Sequence, residues 1–132
     1  MKKIEHIGVA VEDIAKAKKI FSTIFGKDSY KTEEVISESV KATFFKIGES
    51  KIELLSATNT DSPIAKFLTK NREGMHHIAF QVDNLKAALD YLRHQSVQLI
   101  DEIPRIGAEG FKIAFIHPKS TGGVLIELCE IN

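Results

Sequence analysis

Residues 4–11 read Ile-Glu-His-Ile-Gly-Val-Ala-Val, and residues 75–82 read Met-His-His-Ile-Ala-Phe-Gln-Val. The two stretches are copies of one pattern, because His6 and His77 occupy the same place in it at an offset of 71 residues. Each copy continues into a helical pattern and closes on a glutamate in an apolar strand, Glu53 in the first copy and Glu127 in the second. The chain is therefore expected to be a duplication of one structural unit.

The order of local patterns within each copy predicts the fold class. Strand and helix patterns alternate in the same order in both halves, which indicates an α+β fold made of two βαβββ modules. We expect a single domain over residues 1–132. The first module spans about residues 1–58, a linker helix about 61–71, and the second module about 75–132.

Local signals place three helices and several strands along the chain. The first helix is predicted to begin after Asp13, a capping residue, and to end at Gly26. Ser62-Pro63 is predicted to start the linker helix, and Leu85 and Leu89 lie at helical spacing in a third. Besides the two histidine stretches, strands are predicted over residues 40–47, 52–56, 111–117 and 124–129, with loops at 48–50, 105–110 and 118–123.

Composition limits the class of protein. The chain has 132 residues, 43% apolar and 27% charged, as in an ordinary globular domain with one core. Lysine plus arginine equals aspartate plus glutamate at 18 each, so no overall charge favours nucleic acid or an anionic membrane as a partner. The apolar run after Lys2-Lys3 is too short for a signal peptide, so we expect a cytoplasmic protein with no leader. A single cysteine, Cys129, excludes an internal disulfide and a thiolate zinc cluster.

Side-chain alternation distinguishes His77 from its neighbour His76 as the counterpart of His6. Successive residues of a strand face opposite sides, so His6 shares its side with Gly8 and Ala10 while the bulky residues occupy the other. His77 has the same register in the second copy, whereas His76 lies on the bulky side. The repeat therefore selects His77 as the partner of His6.

Two glutamates hold equivalent places in the closing strands. Glu53 and Glu127 lie within apolar strands, where an unpaired buried carboxylate costs several kcal/mol and favours a bound cation. Two histidines and two glutamates in repeat-related positions indicate a site for a divalent metal ion. Four such ligands leave two positions of an octahedral ion open, where a substrate could chelate and its carbonyl be polarised.

The other polar candidates are interpreted as structural. His117 ends a strand and His94 ends a helix, so each is expected to be structural or exposed. His76 is a candidate for supporting a metal ligand, but plain packing is the favoured interpretation. The glycine-rich stretches 107–110 and 121–123 are expected to be turns, because neither leads into a helix N-terminus as a phosphate loop must.

Together these motifs resemble the vicinal oxygen chelate superfamily (glyoxalase/bleomycin resistance/dioxygenase), and within it the methylmalonyl-CoA epimerases. The superfamily resemblance lies in His-Ile-Gly-Val-Ala-Val at 6–11, Ile-Glu-Leu-Leu at 52–55, His-His-Ile-Ala-Phe at 76–80 and Ile-Glu-Leu at 126–128. The epimerase resemblance lies in Asp-Ser-Pro-Ile-Ala-Lys-Phe-Leu at 61–68, Arg-Ile-Gly-Ala at 105–108, and the stretch 116–124. It covers nearly the whole chain and implies that both modules form one cupped mixed sheet.

The resemblance also implies the ligands and the reaction. Carried over position by position, His6, Glu53, His77 and Glu127 hold one divalent metal ion per chain, with Co²⁺ favoured and Zn²⁺, Ni²⁺ or Mn²⁺ possible. The implied reaction is epimerisation of (2R)- and (2S)-methylmalonyl-CoA by 1,1-proton transfer through a metal-stabilised enolate. The implied partners are a small-molecule acyl-CoA substrate and a second copy of the chain in a homodimer.

One position departs from a branch of the family. In that branch the second ligand is a glutamine and a separate glutamate on an earlier strand is a base, at the position of Ala42 in this chain. Inversion of the reacting carbon requires a base on each face of the substrate. The departure therefore predicts that Glu53 and Glu127 act as the acid and base pair.

Two other functions are compatible with the ligand set or the fold. Glyoxalase I (lactoylglutathione lyase) belongs to the same superfamily and also uses two histidines and two glutamates around a divalent ion, so the ligands alone do not separate the two enzymes. A non-catalytic small-molecule-binding module of the same fold is the third interpretation, and it predicts no tightly bound ion. The Asp-Ser-Pro-Ile-Ala-Lys and His-Pro-Lys stretches favour the epimerase.

Overall fold

The computed structural model describes residues 1–131, so Asn132, the last residue of the predicted second module, lies outside the described residues. The helices are α1 (Ile14–Phe25), α2 (Pro63–Asn71) and α3 (Leu85–His94). The strands are β1 (Lys3–Ala10), β2 (Lys31–Val35), β3 (Val40–Ile47), β4 (Ser50–Ala57), β5 (Gly74–Gln81), β6 (Arg105–Ile106), β7 (Lys112–Ile116) and β8 (Ile126–Glu130). Among the helices of the described range, none has the length and apolar character needed to span a membrane.

The chain forms two compact units. The first unit combines Met1–His6 with the residues from His77 onward, and the second unit is Ile7–His76. Strand β1 therefore begins in the first unit and ends in the second, and β5 does the reverse. The predicted division into modules at about residues 58 and 75 stays a prediction.

In the first unit the hydrogen-bonded strand order is β1-β5-β8-β7-β6. The sheet is mixed, because β5 runs parallel to β8 whereas β7 is antiparallel to both β8 and β6. Helix α3 packs on one side through Leu85 and Leu89, in a core that includes Leu128. Alternation along β8 then places Glu127 on the other side of the sheet from that core.

In the second unit the strand order is β2-β3-β4-β1, and β2, β3 and β4 are antiparallel neighbours. Helix α1 packs through Ala17 against Val11, Phe45 and Leu54. Val11 belongs to the bulky side of the first histidine stretch, so that side packs on a helix. Alternation along β4 places Glu53 on the side opposite Leu54.

The predicted helix ends are confirmed. The Asp13 side chain accepts a hydrogen bond from the backbone N–H of Lys16, and Gly26 has the left-handed backbone, with φ of 68°. Ser62 is buried, and its hydroxyl accepts from the backbone N–H of Ile64 at the start of α2. Local capping chemistry thus sets where α1 and α2 begin.

Two strands differ from the prediction. Strand β6, Arg105–Ile106, lies within the stretch predicted as a loop, and β2, Lys31–Val35, had no predicted position. Strand β2 is the outermost strand of the second unit, and four of its five residues are at least partly exposed. Its sequence, Lys-Thr-Glu-Glu-Val, accordingly has one apolar residue and lacks the alternation that would have identified it. The two residues of β6 are a strand only through their pairing with Lys112 and Ile113 of β7.

Candidate metal centre

His6 is held in a defined orientation by its neighbour in sequence. Its side chain is buried at the start of β1, and its Nδ1 lies 2.9 Å from Oε1 of Glu5, which is buried as well. When Glu5 is ionised its carboxylate can only accept, and the hydrogen bond then places the imidazole proton on Nδ1. The other ring nitrogen, Nε2, then presents its lone pair away from Glu5.

Two buried side chains of the first unit, those of His77 and Glu127, approach the Nε2 atom of His6. His77 Nε2 lies 2.9 Å from it, and Oε1 of Glu127 lies 3.7 Å from it and 3.2 Å from His77 Nε2. His77 comes from β5, and Glu127 comes from β8, where it lies opposite Ala79. Alternation along β5 puts His77 and Ala79 on one side, which is also the side of Glu127.

The spacing of these three atoms fits a divalent ion. Two ligand atoms that are each about 2.1 Å from one ion lie about 3.0 Å apart at right angles and about 3.4 Å apart in a tetrahedron. The observed separations of 2.9, 3.2 and 3.7 Å surround these values. A cation also satisfies the carboxylate and the His6 lone pair together, since neither can donate a hydrogen bond. His6, His77 and Glu127 can therefore hold a metal ion.

Glu127 stays ionised in these surroundings. Burial raises the pKa of Glu127, but the rings of His6 and His77, which in their protonated forms donate hydrogen bonds and carry positive charge, outweigh burial, so the pKa lies below its usual value. The carboxylate is accordingly deprotonated at neutral pH. A metal ligand and a general base both require that state.

Glu53, the fourth predicted ligand, belongs to the second unit. It is buried on β4, opposite Phe44 of β3. Among the described residues, the cluster able to hold an ion is His6, His77 and Glu127. The role of Glu53 as a fourth ligand stays a prediction.

Ala42, the position at which one branch of the family carries a base, is fully buried on β3. Its cross-strand neighbours are Leu55 of β4 and Glu33 of β2. The carboxylate of Glu33 lies 3.3 Å from Nζ of Lys31. The methyl side chain of Ala42 therefore offers no group for proton transfer.

The remaining histidines have the structural contacts expected of them. The ring of His76 packs edge-to-face on Phe67 of α2, with ring centres 4.9 Å apart. His117 Nδ1 accepts from the backbone N–H of Lys119 and caps a short 3-10 turn, and the His94 ring contacts the Asp90 carbonyl at the end of α3.

Glu5 and Phe115 contact the cluster but were not predicted. Alternation assigns Glu5 to the side opposite His6, yet its carboxylate reaches the His6 ring. A charged residue within an apolar strand, next to a candidate ligand, is the signal that could have identified it. Phe115 meets the His77 ring edge-to-face, with ring centres 5.6 Å apart, and it lies opposite Glu127 in the pairing of β7 with β8. The sequence alone does not give this register between strands.

Comparisons with known proteins give a consistent result. The family model described as "Glyoxalase/Bleomycin resistance protein/Dioxygenase superfamily" matches residues 5–115. The chain is 45% identical to the uncharacterized protein YqjC of Bacillus subtilis, over 98% of this chain and 93% of that protein. It is 39% identical to the mitochondrial methylmalonyl-CoA epimerase of Homo sapiens, over 96% of this chain and 72% of that protein.

A solved structure extends the likeness to three dimensions. A variant of the Streptomyces coelicolor methylmalonyl-CoA epimerase, in complex with 2-nitronate-propionyl-CoA, superimposes with a TM-score of 0.94 at 34% identity, over 98% of this chain and 94% of that one. The predicted fold class is thereby confirmed. The resemblance read from the sequence motifs, to the superfamily and to its epimerases, is confirmed as well.

Proposed function

The chain belongs to the Glyoxalase/Bleomycin resistance protein/Dioxygenase superfamily, and on that premise we propose that it is a metal-dependent epimerase that interconverts (2R)- and (2S)-methylmalonyl-CoA. One observation carries the proposal: His6, His77 and Glu127 converge in a chain that resembles methylmalonyl-CoA epimerases over nearly its full length. The substrate class is a small acyl-CoA whose reacting carbon lies between a carboxylate and a thioester.

Glu127 is proposed to carry a proton to and from that carbon. Its Oε1 faces the two imidazoles, so Oε2 is the atom assigned to the proton. Burial of the side chain keeps bulk water from competing for the proton during transfer. A carboxylate is a weak base, so the C2 proton must itself become acidic.

That acidity is the chemistry a bound divalent ion would supply, since a Lewis acid polarises the carbonyl beside the reacting carbon. His6, His77 and Glu127 would hold the ion, with Glu53 proposed as the fourth ligand. Glu5 fixes the tautomer of His6, so that the lone pair of Nε2 is available to a cation. Co²⁺ is the ion proposed, although nitrogen and carboxylate ligands also suit Zn²⁺, Ni²⁺ and Mn²⁺.

Glu53 is proposed as the second proton-transfer group. Inversion at one carbon needs proton removal on one face and delivery on the other, and Ala42 supplies no such group. Glu53 is buried and faces away from the α1 core of its unit, two properties compatible with this role. It stands at the repeat-related position to Glu127 in the sequence.

Turnover of two substrates in parallel tests the proposal against glyoxalase I. Protein loaded with Co²⁺ is incubated with one stereoisomer of methylmalonyl-CoA, and the isomer ratio is followed by a stereospecific assay; the same sample receives the glutathione hemithioacetal of methylglyoxal. We expect approach to a 1:1 isomer ratio and no lactoylglutathione. Lactoylglutathione formation without epimerisation would contradict the epimerase proposal and indicate glyoxalase I instead.

Assembly as a homodimer is part of the proposal and comes from the family resemblance. Light scattering on a sizing column would measure the mass directly. A mass close to twice the 14.7 kDa of the chain supports the dimer, and a mass of one chain contradicts it.

A further inference from the structure

Arg105 belongs to a sequence motif to which the proposed chemistry gives no role. It lies on β6, opposite Ile113 of β7. Ile113 and Phe115 share one side of β7, and Phe115 lies opposite Glu127 of β8. Arg105 is therefore on the same side of the first unit's sheet as the candidate metal ligands His77 and Glu127.

Asp101 ties Arg105 to the backbone of Phe115. Its Oδ1 accepts from Nε of Arg105 at 3.0 Å, and its Oδ2 accepts from the backbone N–H of Phe115 at 2.8 Å. The Asp101 side chain is 16% exposed and the Arg105 side chain 37%, so the carboxylate is largely shielded from water while the guanidinium is partly open to it. Both carboxylate oxygens are thus committed, which fixes the position of the guanidinium relative to β7.

The guanidinium lies over the ring of Phe115, with Cζ 5.6 Å from the ring centre, within the range of a cation–π contact. The same ring meets His77 edge-to-face, with ring centres 5.6 Å apart and planes at 80°. One aromatic ring therefore contacts both a fixed cation and a candidate metal ligand.

We infer that Arg105 is a positioning residue that, through the Phe115 ring, fixes the orientation of His77 toward the metal. The inference rests on the proposed function, because it requires a bound ion. It assigns different supports to the two histidines: Glu5 orients His6 by a hydrogen bond, and the Arg105–Phe115 stack orients His77 by packing. Groups behind a ligand act on metal affinity by holding the ligand in place.

Titration of metal-stripped protein with Co²⁺ by calorimetry tests the inference. We expect Arg105→Ala and Phe115→Leu each to weaken Co²⁺ binding about threefold to tenfold, at or below the lower end of what outer-shell changes cause, because neither group bonds to His77 directly. Arg93→Ala is the matched control, because Arg93 is also an arginine of the first unit that pairs with carboxylates, those of Asp90 and Glu102. The control should bind Co²⁺ as the unmodified protein does.

The double variant tests whether Arg105 acts on His77 through the Phe115 ring. If Arg105 acts through the Phe115 ring, adding Arg105→Ala to Phe115→Leu should weaken binding by less than about twofold more. The visible absorption of bound Co²⁺ reports ligand geometry, and it should change in Arg105→Ala but not in Arg93→Ala. Arg105→Lys keeps the charge and loses the planar group, so its affinity for Co²⁺ should lie between that of the unmodified protein and that of Arg105→Ala.

Several outcomes overturn the inference. Folded Arg105→Ala with unmodified Co²⁺ affinity and absorption contradicts it, and so do losses that multiply fully in the double variant. Circular dichroism checks folding, and if Phe115→Leu does not fold, the comparison of Arg105→Ala, Arg105→Lys and Arg93→Ala decides alone. Failure of the unmodified protein to bind Co²⁺ would overturn the proposed metal site too, whereas tight binding that is insensitive to Arg105 overturns this inference alone.

Discussion

Glu5 Oε1 lies 2.9 Å from Nδ1 of His6, although the two residues are adjacent on a strand, where side chains ordinarily face opposite sides. Both side chains are buried, so the contact is well shielded from water. A carboxylate that accepts from one imidazole nitrogen frees the other as a ligand and raises its basicity. The relationship makes Glu5 part of the candidate metal centre.

Substitution of Glu5 tests that relationship. Glu5→Gln keeps an acceptor but removes the charge, and we expect Co²⁺ affinity to fall about tenfold, while Glu5→Leu removes the acceptor and should cost up to about 100-fold. Calorimetric titration of metal-stripped protein gives both values. Equal affinity in Glu5→Leu and the unmodified protein would contradict the role.

Glu127→Gln separates metal binding from proton transfer. The amide oxygen can still ligate an ion, but it cannot take up a proton at neutral pH, so epimerisation should fall by at least about 100-fold even with metal restored. The measurement is the rate of isomer conversion in protein whose Co²⁺ content has been determined. Glu34→Gln, at an exposed position on β2, is the control and should keep full activity. Full activity in metal-loaded Glu127→Gln would refute the assignment.

Glu53→Gln tests the second proton-transfer group. We expect Co²⁺ to be retained, because glutamine is a ligand at this position in one branch of the family, and the epimerisation rate to fall about 100-fold. The same Glu34→Gln control applies. Retained activity in Glu53→Gln would exclude Glu53 as the base and direct attention to Glu33, which lies opposite Ala42.

The start of α2 offers a stability test independent of metal. The buried hydroxyl of Ser62 accepts from the backbone N–H of Ile64, and Ser62→Ala leaves that donor without its cap. The free energy of unfolding should decrease by about 1 kcal/mol. Thr69→Ala in the same helix is the control, with a change of at most about 0.5 kcal/mol. Urea denaturation measures both, and equal midpoints for the two variants would contradict the cap.

Much of the fold could be predicted because its signals are local. Strand β3 has the predicted bounds, and Asp13, Gly26 and Ser62 act as the expected caps, since capping depends on residues within one helical turn. Strands β2 and β6 were not located, because what makes them strands is pairing with β3 and β7 and not their own alternation. Periodicity does not report pairing between distant segments.

The candidate site likewise has residues that the sequence identified and residues that only the structure revealed. The internal repeat identified His6, His77 and Glu127, which the structure brings together, because a duplication relates positions without any knowledge of distance. Glu5 was not predicted, since alternation places adjacent strand residues on opposite sides and gives no indication that its carboxylate contacts the His6 ring. The contact of Phe115 with His77 depends on the register of three strands, which no single segment encodes.

Exchange of the C2 proton of methylmalonyl-CoA in deuterated water, followed by proton NMR, tests the proposed chemistry most directly. Protein reconstituted with Co²⁺ is compared with metal-stripped protein and with a protein-free sample, because this acidic position exchanges slowly unaided. We predict metal-dependent loss of the C2 proton signal far above both controls. No acceleration by protein with a fully loaded site would contradict the epimerase proposal and leave only the fold and the metal centre standing.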